Sequence, residues 1–496
     1  MIPGRATPEG TAAFAARHAA LGPHAHGALG STELTVSGAG FGCYRIHDAN
    51  AQHAAALRLA LRSGVNLIDT STNYTGGASE RLVGRVLAEA IAAGDVQREE
   101  VVLVTKTGYL QGENHAVAVR REEEGRPFPE VVKLGPDLWH CIHPEFLADQ
   151  IGRSLGRMGV ETIDVFLLHN PEYYLEAARM SGRRIAAVRD EYHRRIEEAF
   201  RHLETEVSRG RIARFGISSN TFPEAPHGPK FTSLERCWES AGRAGAEPHF
   251  SVIQLPGNLV EAGLARVKNQ REGTQTVLDF AQEKGLGVLV NRPLNAFTGQ
   301  EMIRLAEYPT ETEGTADAVR ERIADLVRIE SELPAQLPGP LRGSEREPGP
   351  VQLLIAGVFL RANWTAFSSR DHWQDFVGHR LIPQTQHGLS LLPGDPAAQA
   401  WRERYAGAVN AAISALRDFL SAGDNGRAET FRKEVHAHLP PQAQSLPLSQ
   451  LAVWALRVLP AVSSVLVGMR REAYVRDVLA ALAVSPEGGE AVWDAL

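Results

Sequence analysis

Short apolar segments alternate with longer amphipathic segments along most of the chain. Eight segments have the length and apolar content of buried strands, and they begin at Ser37, Val65, Val101, Asp164, Arg214, Phe250, Leu286 and Ser463. Stretches with helical spacing of apolar residues lie between them and begin at Ala54, Glu80, Glu145, Arg194, Thr276 and Leu448. Repeated strand–helix units with continuously apolar strands are typical of parallel sheets covered by helices. The pattern predicts an α/β fold, the (β/α)8 TIM barrel.

The chain is longer than such a barrel needs. It has 496 residues, whereas a barrel of this kind typically uses about 250. We assign residues 1–30 to an N-terminal extension, residues 31–297 and 448–496 to the barrel, and residues 298–447 to a large, mainly helical insertion. This insertion lies between strand seven and the last barrel helices. A smaller insertion runs from about residue 108 to 143.

The large insertion has its own helical pattern. One amphipathic helix is predicted around Val319, Ile323, Leu326 and Leu333. Another is predicted around Trp401, Tyr405, Ala408, Ala412, Leu416 and Phe419, with Asp395 and Pro396 as its cap and first turn. The Pro/Gly-rich segment from Pro334 to Pro350 predicts a linker. The insertion follows a strand end on the face where barrel active sites form. It is therefore either a cap over a substrate or a dimerisation or stability element.

Composition narrows the class of protein. The apolar fraction of 43% and charged fraction of 22% are those of an ordinary soluble globular chain. A net charge of −7 without a basic run argues against nucleic acid, and no apolar run is long enough for a membrane helix. Three widely spaced cysteines support neither a disulfide framework nor a metal site. We expect a cytoplasmic protein with no metal, and the sequence carries no signal for an oligomeric state.

Four polar residues stand at or just beyond the ends of predicted strands: Asp69, Tyr74, Lys106 and His169. A tyrosine titrates near ~10 and needs a neighbouring cation to stabilise its phenolate. Lys106 is a candidate for that cation, held by Asp69, while His169 is placed to hydrogen-bond a substrate oxygen. Taken singly, each residue has an ordinary structural explanation. Taken together, they favour proton-transfer catalysis.

These residues lie in motifs that resemble those of the aldo-keto reductases. The segments IDTSTNY, GGASERLVG, VVLVTK and LLHNP are similar to family motifs in the family's order, as are GISSN and VIQLPGNLV farther along. The resemblance implies a barrel oxidoreductase in which the tyrosine protonates a carbonyl oxygen as a nicotinamide cofactor delivers hydride. It also implies that Ser219, Asn220 and Gln254 hold the carboxamide.

The resemblance extends to the last strand–helix unit. The segment VLVGMRREAYVRDVLAAL is similar to the family's phosphate-binding turn and helix, which implies that Gly468, Arg470 and Arg471 meet the cofactor phosphates. Two guanidinium groups favour NADP, with NAD as the alternative. Arg292 has two interpretations, either a ligand of cofactor phosphates or an acidic substrate, or a salt-bridged residue at a strand end.

The chain also departs from the family pattern. Asn291 stands where an aromatic residue normally stacks on the nicotinamide, and Asp477-Val478 replaces the Glu-Asn pair that helps to hold the adenine. These differences predict that the cofactor-binding surface differs from the family's usual one. The residues expected to line the substrate pocket are Cys43, Tyr44, Trp139 and Tyr173.

The leading interpretation is an oxidoreductase that acts on a small aldehyde, ketone or sugar-like carbonyl or on the matching alcohol. Two alternatives stay open. One is a cofactor-binding redox sensor or regulatory subunit that uses the helical insertion as a partner surface. The other is a barrel isomerase or lyase that uses the same tyrosine and lysine without net redox change. The complete set of four residues favours the enzyme over the sensor.

Overall fold

A computed structural model describes residues 1–298, 301–308, 314–336 and 348–495. The chain divides into two compact units. In chain order, the larger one comprises Met1–Ala296 and Val435–Leu496, and the smaller one Phe297–Glu434. No helix within the described ranges is long and apolar enough to cross a membrane.

The larger unit is built on a closed barrel of eight parallel strands. They are β1 (Ala39–Gly42), β2 (Leu67–Asp69), β3 (Val102–Thr107), β4 (Ile163–His169), β5 (Ile212–Ser218), β6 (Phe250–Pro256), β7 (Gly287–Asn291) and β8 (Val462–Val467). Neighbours in sequence are neighbours in the barrel, and β8 closes it by pairing Val465 with Ala39 of β1. These are the eight strands predicted from the apolar pattern, so the predicted barrel is confirmed.

Each strand is followed by one helix of the outer layer. The helices are α1 (Ala51–Arg62), α2 (Ala78–Ala92), α3 (Pro144–Met158), α4 (Ile185–Ser208), α5 (Leu234–Ala244), α6 (Val277–Glu283), α7 (Leu448–Arg457) and α8 (Glu472–Ala483). The apolar pattern alone did not indicate α5. Its buried side consists of Leu234, Cys237, Ser240 and Ala241, so only half of that side is strongly apolar.

Smaller elements join the barrel unit outside these strand–helix pairs. Short helices cover Pro8–Arg17, Glu113–Glu123, Tyr173–Met180, Gly263–Arg266 and Ala491–Ala495. Two antiparallel pairs are His26–Ala28 with Thr35–Ser37, and Lys268–Gln270 with Gln275–Thr276. The insertion after β3 forms a three-stranded antiparallel sheet from Tyr109–Leu110, Val132–Gly135 and Leu138–His140.

The N-terminal extension contributes to the core inside the barrel. Leu29 of the extension and Leu34, which follows it, are buried there among apolar side chains from the strands, which include Leu67, Val102, Val104, Val165, Leu167, Val252, Leu289 and Leu466. The turn between them requires a glycine. Gly30 has φ +53°, and a Cβ atom at this position would lie 2.3 Å from the amide nitrogen of Gly287. The extension is thus an integral part of the barrel interior.

The smaller unit is mainly helical and has its own core. Its helices are Ala316–Gln336, Pro350–Leu353, Ala356–Asn363, Arg370–Phe376, Ile382–Ser390 and Pro396–His436, with one π-helical segment at Val377–Leu381. Two buried tryptophans each connect a pair of these helices. The Trp373 indole donates to the Ile413 carbonyl at 3.2 Å, and the Trp401 indole donates to the Ile329 carbonyl at 3.1 Å. Both predicted amphipathic helices are present. Most of the predicted linker, residues 337–347, lies outside the described residues.

We predict that Leu29→Ala destabilises the barrel unit by about 2–5 kcal/mol. The substitution leaves a cavity among strand side chains that have little room to collapse. Urea unfolding followed by tryptophan fluorescence measures the change. The control is Met180→Ala, which removes a side chain that is 59% exposed and should cost less than about 0.5 kcal/mol. Equal losses in the two variants would contradict the role assigned to the extension.

Candidate active site

The polar residues predicted from the strand ends converge at the carboxyl end of the barrel. Asp69 is the last residue of β2, Lys106 lies near the end of β3, and His169 ends β4. Tyr74 follows β2 in the tight turn Tyr74–Gly77 that leads into α2. Parallel strands present their carboxyl ends on one face of the barrel, and this brings the four side chains together.

A buried ion pair forms the centre of the site. The Lys106 ammonium lies 2.7 Å from both carboxylate oxygens of Asp69 and also donates to the Thr70 carbonyl at 2.9 Å. The lysine is fully buried. Burial disfavours its charge and lowers the pKa of Lys106, whereas the charge of Asp69 raises it. The short bonds to Asp69 keep the ammonium in place.

Gln254 supports the carboxylate from across the barrel. Its side-chain amide donates to Asp69 Oδ1 at 2.8 Å, and its carbonyl oxygen accepts from Ser218 Oγ at 2.8 Å and from Asn291 Nδ2 at 3.5 Å. Sequence reasoning expected this glutamine to hold the cofactor carboxamide. In the structure Gln254 instead stabilises the Asp69–Lys106 ion pair. Its hydrogen bonds also connect β6 to Ser218 on β5 and to Asn291 on β7.

Tyr74 lies over this pair. The Lys106 Nζ atom is 5.0 Å from the centre of the tyrosine ring, and the rings of Tyr44 and His169 meet it edge-on at 5.2 and 6.0 Å. Burial and the negative charge of Asp69 raise the pKa of Tyr74 well above its ordinary value. The expected lowering by Lys106 does not prevail, because burial disfavours the phenolate and the negative charge of Asp69 acts in the same direction. The phenol is therefore protonated at neutral pH.

His169 is neutral in this environment. Burial lowers its pKa well below the ordinary value, and the nearby charge of Lys106 acts in the same direction. Its Nδ1 atom lies 3.1 Å from Ser71 Oγ, within the loop after β2. A neutral imidazole beside a neutral phenol can orient a substrate oxygen without placing a second cation next to Lys106.

The insertion after β3 supplies aromatic side chains to the site, and one of them, His140, was not predicted from the sequence. The Tyr109 ring meets His169 edge-on at 4.7 Å, and His140 Nε2 lies 2.7 Å from the His169 carbonyl oxygen. Tyr173 stacks on His140 with 5.5 Å between the ring centres. The sequence around His140 contains no recognisable motif. The one indication of a role in the site is that His140 lies in the insertion that follows the end of β3.

The residues expected to line the substrate pocket have different surroundings. Tyr44 is 64% exposed and packs on Tyr74, as a pocket wall would. Tyr173 reaches the site through His140 and Tyr109. Cys43 is fully buried, and burial raises the pKa of its thiol well above the ordinary value, so it is no nucleophile. Trp139 packs into the small core of the insertion, with Leu110, Ala118, Phe128, Cys141 and Phe146, and its place in the pocket stays a prediction.

The other two residues expected at the carboxamide lie at the end of β5. Ser219 is buried, and its hydroxyl lies within hydrogen-bond distance of Thr221 Oγ1 and Thr232 Oγ1, at 3.1 and 3.3 Å. Asn220 is exposed. The backbone amide of Asn220 donates to Glu172 Oε1 at 2.9 Å. The asparagine backbone is thus anchored while its side chain faces outward.

The predicted phosphate-binding residues surround the start of α8. Gly468 and Arg471 are exposed, Arg470 is half-buried, and Arg471 directly precedes the twelve-residue helix. Farther along α8, Asp477 accepts a hydrogen bond from Gln450 at 2.8 Å and Val478 is buried. Asp477 is therefore engaged with a neighbouring helix, and Val478 packs in the interior.

Arg292 follows β7 with φ +58°. Its guanidinium group donates to Glu261 at 3.1 Å. Of the two interpretations of this residue, the salt bridge at a strand end is the one that the structure contains. A role at the cofactor would require Arg292 to share or leave that carboxylate.

We predict that His140 makes the barrel unit sensitive to acid. Burial lowers the pKa of His140 to about 4, whereas an unfolded histidine titrates near ~6.5. Its neutral form therefore contributes stability that is complete above ~6.5 and is lost as the pH falls towards about 4. Between pH 7 and pH 5 the loss from this residue is about 2 kcal/mol. Urea unfolding at both pH values should show a smaller loss in His140→Gln than in the wild type, and equal losses would contradict the assignment.

Part of the chain resembles known proteins in sequence. The sequence model described as "Aldo/keto reductase family" matches residues 39–326. The chain is 31% identical over 149 residues to the NADH-specific methylglyoxal reductase of Escherichia coli strain K12, a match that covers 28% of this chain and 40% of the relative. It is 27% identical over 194 residues to the NAD(P)H-dependent D-xylose reductase of Scheffersomyces stipitis, with 38% and 49% covered.

The solved structures match this chain with lower sequence identity. An aldo-keto reductase from Bacillus halodurans in its holo form is 15% identical, with a TM-score of 0.45 and 95% of each chain covered. An aldo/keto reductase from Klebsiella pneumoniae in complex with NADP and acetate is 21% identical, with a TM-score of 0.33 and coverage of 53% and 67%. The matches to these curated relatives span less than two thirds of each relative's length. The family model, in contrast, covers more than half of this chain, and the chain belongs to the aldo/keto reductase family.

Proposed function

We propose that this protein is a nicotinamide-dependent oxidoreductase that reduces small aldehydes, ketones or sugar-like carbonyls, or oxidises the matching alcohols, with NADPH as the favoured reductant. The observation that carries the proposal is the buried Asp69–Lys106 pair under the ring of Tyr74. Beside it lies the buried imidazole of His169. A protonated phenol next to a fixed cation is suited to deliver a proton to a developing alkoxide.

The residues around the site fit a nicotinamide cofactor. The exposed Asn220 and the adjoining Ser219 offer donors and acceptors for a carboxamide. Arg470 and Arg471 precede the N-terminus of α8, where backbone amides and two guanidinium groups favour phosphate. The names of two relatives, an NADH-specific and an NAD(P)H-dependent reductase, support the same class of cofactor.

When bound, the reduced nicotinamide supplies the hydride that forms the new bond to the carbonyl carbon. Tyr74 donates its phenolic proton to the carbonyl oxygen, and the phenolate that remains is stabilised by the Lys106 ammonium. Asp69 and Gln254 hold that ammonium in place. His169 orients the carbonyl oxygen between its own imidazole ring and the phenol ring of Tyr74. Solvent returns a proton to Tyr74 after the alcohol leaves.

Two features support a small polar substrate. The relatives include a methylglyoxal reductase and a D-xylose reductase. In this chain, the exposed ring of Tyr44 stands next to Tyr74, and an aromatic face beside a hydrogen-bonding group suits the apolar face and the hydroxyl groups of a small sugar. We therefore propose hydroxy-aldehydes and short sugars as the first substrates to test.

We predict that Tyr74→Phe lowers kcat/KM by about 10²–10⁴-fold, because the proton donor is removed. NADPH oxidation followed by absorbance, with methylglyoxal and D-xylose as substrates, measures the loss. The affinity for NADPH should change less than about threefold. Tyr174→Phe is the control, because among the described residues this hydroxyl accepts a single long hydrogen bond, from Arg183 at 3.4 Å.

Full activity in Tyr74→Phe would refute the assigned donor. A wild-type protein that binds NADPH but turns over no carbonyl would instead favour the redox sensor, and absence of nicotinamide binding would favour another class of barrel enzyme.

We predict that the double substitution Arg470→Ala, Arg471→Ala weakens NADPH binding by about 10–100-fold, because two guanidinium partners of the 2′-phosphate are lost. NADH, which lacks that phosphate, should lose less than about threefold. Fluorescence titration with both cofactors measures the difference. Arg476→Ala on the exposed side of α8 serves as a control, since Arg476 pairs only with Glu472 among the described residues. An equal loss for both cofactors would contradict the assignment.

A further inference from the structure

Glu172 is a buried carboxylic acid that the proposed chemistry does not use. It follows β4, three residues after His169, and only 4% of its surface is exposed. Its Oε1 atom accepts the backbone amide of Asn220 at 2.9 Å. Its Oε2 atom is buried and has no hydrogen-bond partner in the described part of the chain. A buried carboxyl oxygen without a partner is costly unless a ligand or a proton satisfies it.

Several titratable groups lie around Glu172. The titratable groups that face it are Tyr109 in the insertion after β3, Tyr192 on α4, Glu224 after β5 and Cys237 on α5. No ion pair to Glu172 occurs among the residues that the structure describes. Burial raises the pKa of Glu172 to about 7, although hydrogen bonds from the Ser219 side chain and the Asn220 amide act in the opposite direction. The carboxyl group therefore changes its charge near neutral pH.

We propose that Glu172 is a positioning residue that fixes the Ser219–Asn220 turn and thereby sets the affinity for the nicotinamide end of the cofactor. The inference rests on the proposed function, because it assumes that this turn holds the carboxamide. The hydrogen bond joins the loop after β4, which contains Glu172, to the loop after β5, which contains the turn. It holds the backbone of Asn220 while leaving the side chain exposed.

The ionised carboxylate is the better acceptor for this bond. Hydrogen bonds to a charged group are stronger than those between neutral groups, so the turn is held more firmly when Glu172 has lost its proton. Nicotinamide affinity should therefore rise with pH through about 7 and fall below it. A glutamine at this position would still accept the amide of Asn220 through its carbonyl oxygen, but it would not titrate.

Two ligands separate the nicotinamide end from the adenosine end. NADPH occupies both regions, whereas 2′,5′-ADP carries the adenine and the 2′-phosphate but no nicotinamide. Titrations of the full-length chain with each ligand give two dissociation constants for the wild type, Glu172→Ala and Glu172→Gln. Glu176→Gln is the control, because Glu176 lies on the helix that directly follows Glu172, is only partly buried and pairs with Arg179. The ratio of the two constants cancels titration of the shared 2′-phosphate.

We expect Glu172→Ala to weaken NADPH binding about tenfold and 2′,5′-ADP binding less than twofold, and Glu172→Gln to stay within threefold of the wild type for both. Between pH 6 and pH 8 the wild-type ratio should change in favour of NADPH, whereas the Glu172→Gln ratio should stay flat. If Glu172→Ala does not fold, the pH series of the wild type and Glu172→Gln decides the question.

Unchanged NADPH binding in Glu172→Ala, an equal loss for both ligands, or the same pH dependence in the wild type and Glu172→Gln would each overturn the inference. A wild-type protein that binds neither ligand would overturn the proposed function itself. A wild type that binds both, without a specific effect of Glu172, would refute the role of Glu172 alone.

Discussion

The candidate site depends on one charged contact buried in the barrel, the ion pair between Asp69 and Lys106. Burial of an ammonium and a carboxylate is costly, and loss of one partner from such a pair typically costs about 3–5 kcal/mol. The pair is retained here because Gln254 and the Thr70 carbonyl satisfy further hydrogen bonds. The arrangement places positive charge beneath Tyr74 and keeps His169 neutral.

A second buried network supports the strands that carry this pair. The Thr105 hydroxyl, next to Lys106, donates to Glu80, and the Arg157 guanidinium of α3 donates to the other oxygen of that carboxylate. Ser79 lies 2.7 Å from the Thr70 hydroxyl, next to Asp69. The Ser-Glu motif at the start of α2 thus contributes no reacting group. It fixes β2 and β3 relative to α2 and α3.

The sequence was informative where its pattern is local. Eight apolar strands and four polar strand ends could be recognised because burial and β/α alternation leave a regular signal. His140 was missed, since the insertion after β3 has no motif and its aromatic side chains divide between a small core, which contains Trp139, and the site. The contact of Gln254 with Asp69 joins residues 185 positions apart, and no spacing along the chain could predict it.

The smaller unit also has a consequence for how the barrel can fold. Strand β7 ends at Asn291, and β8 begins at Val462, 171 positions later. For a flexible chain, closing a connection of that length costs about 1.5 kcal/mol more than closing one of about 30 residues. Because Phe297–Glu434 forms a compact unit with its own hydrophobic core, its early folding would shorten the effective tether. We expect barrel closure to be a late step that follows the collapse of the inserted helices.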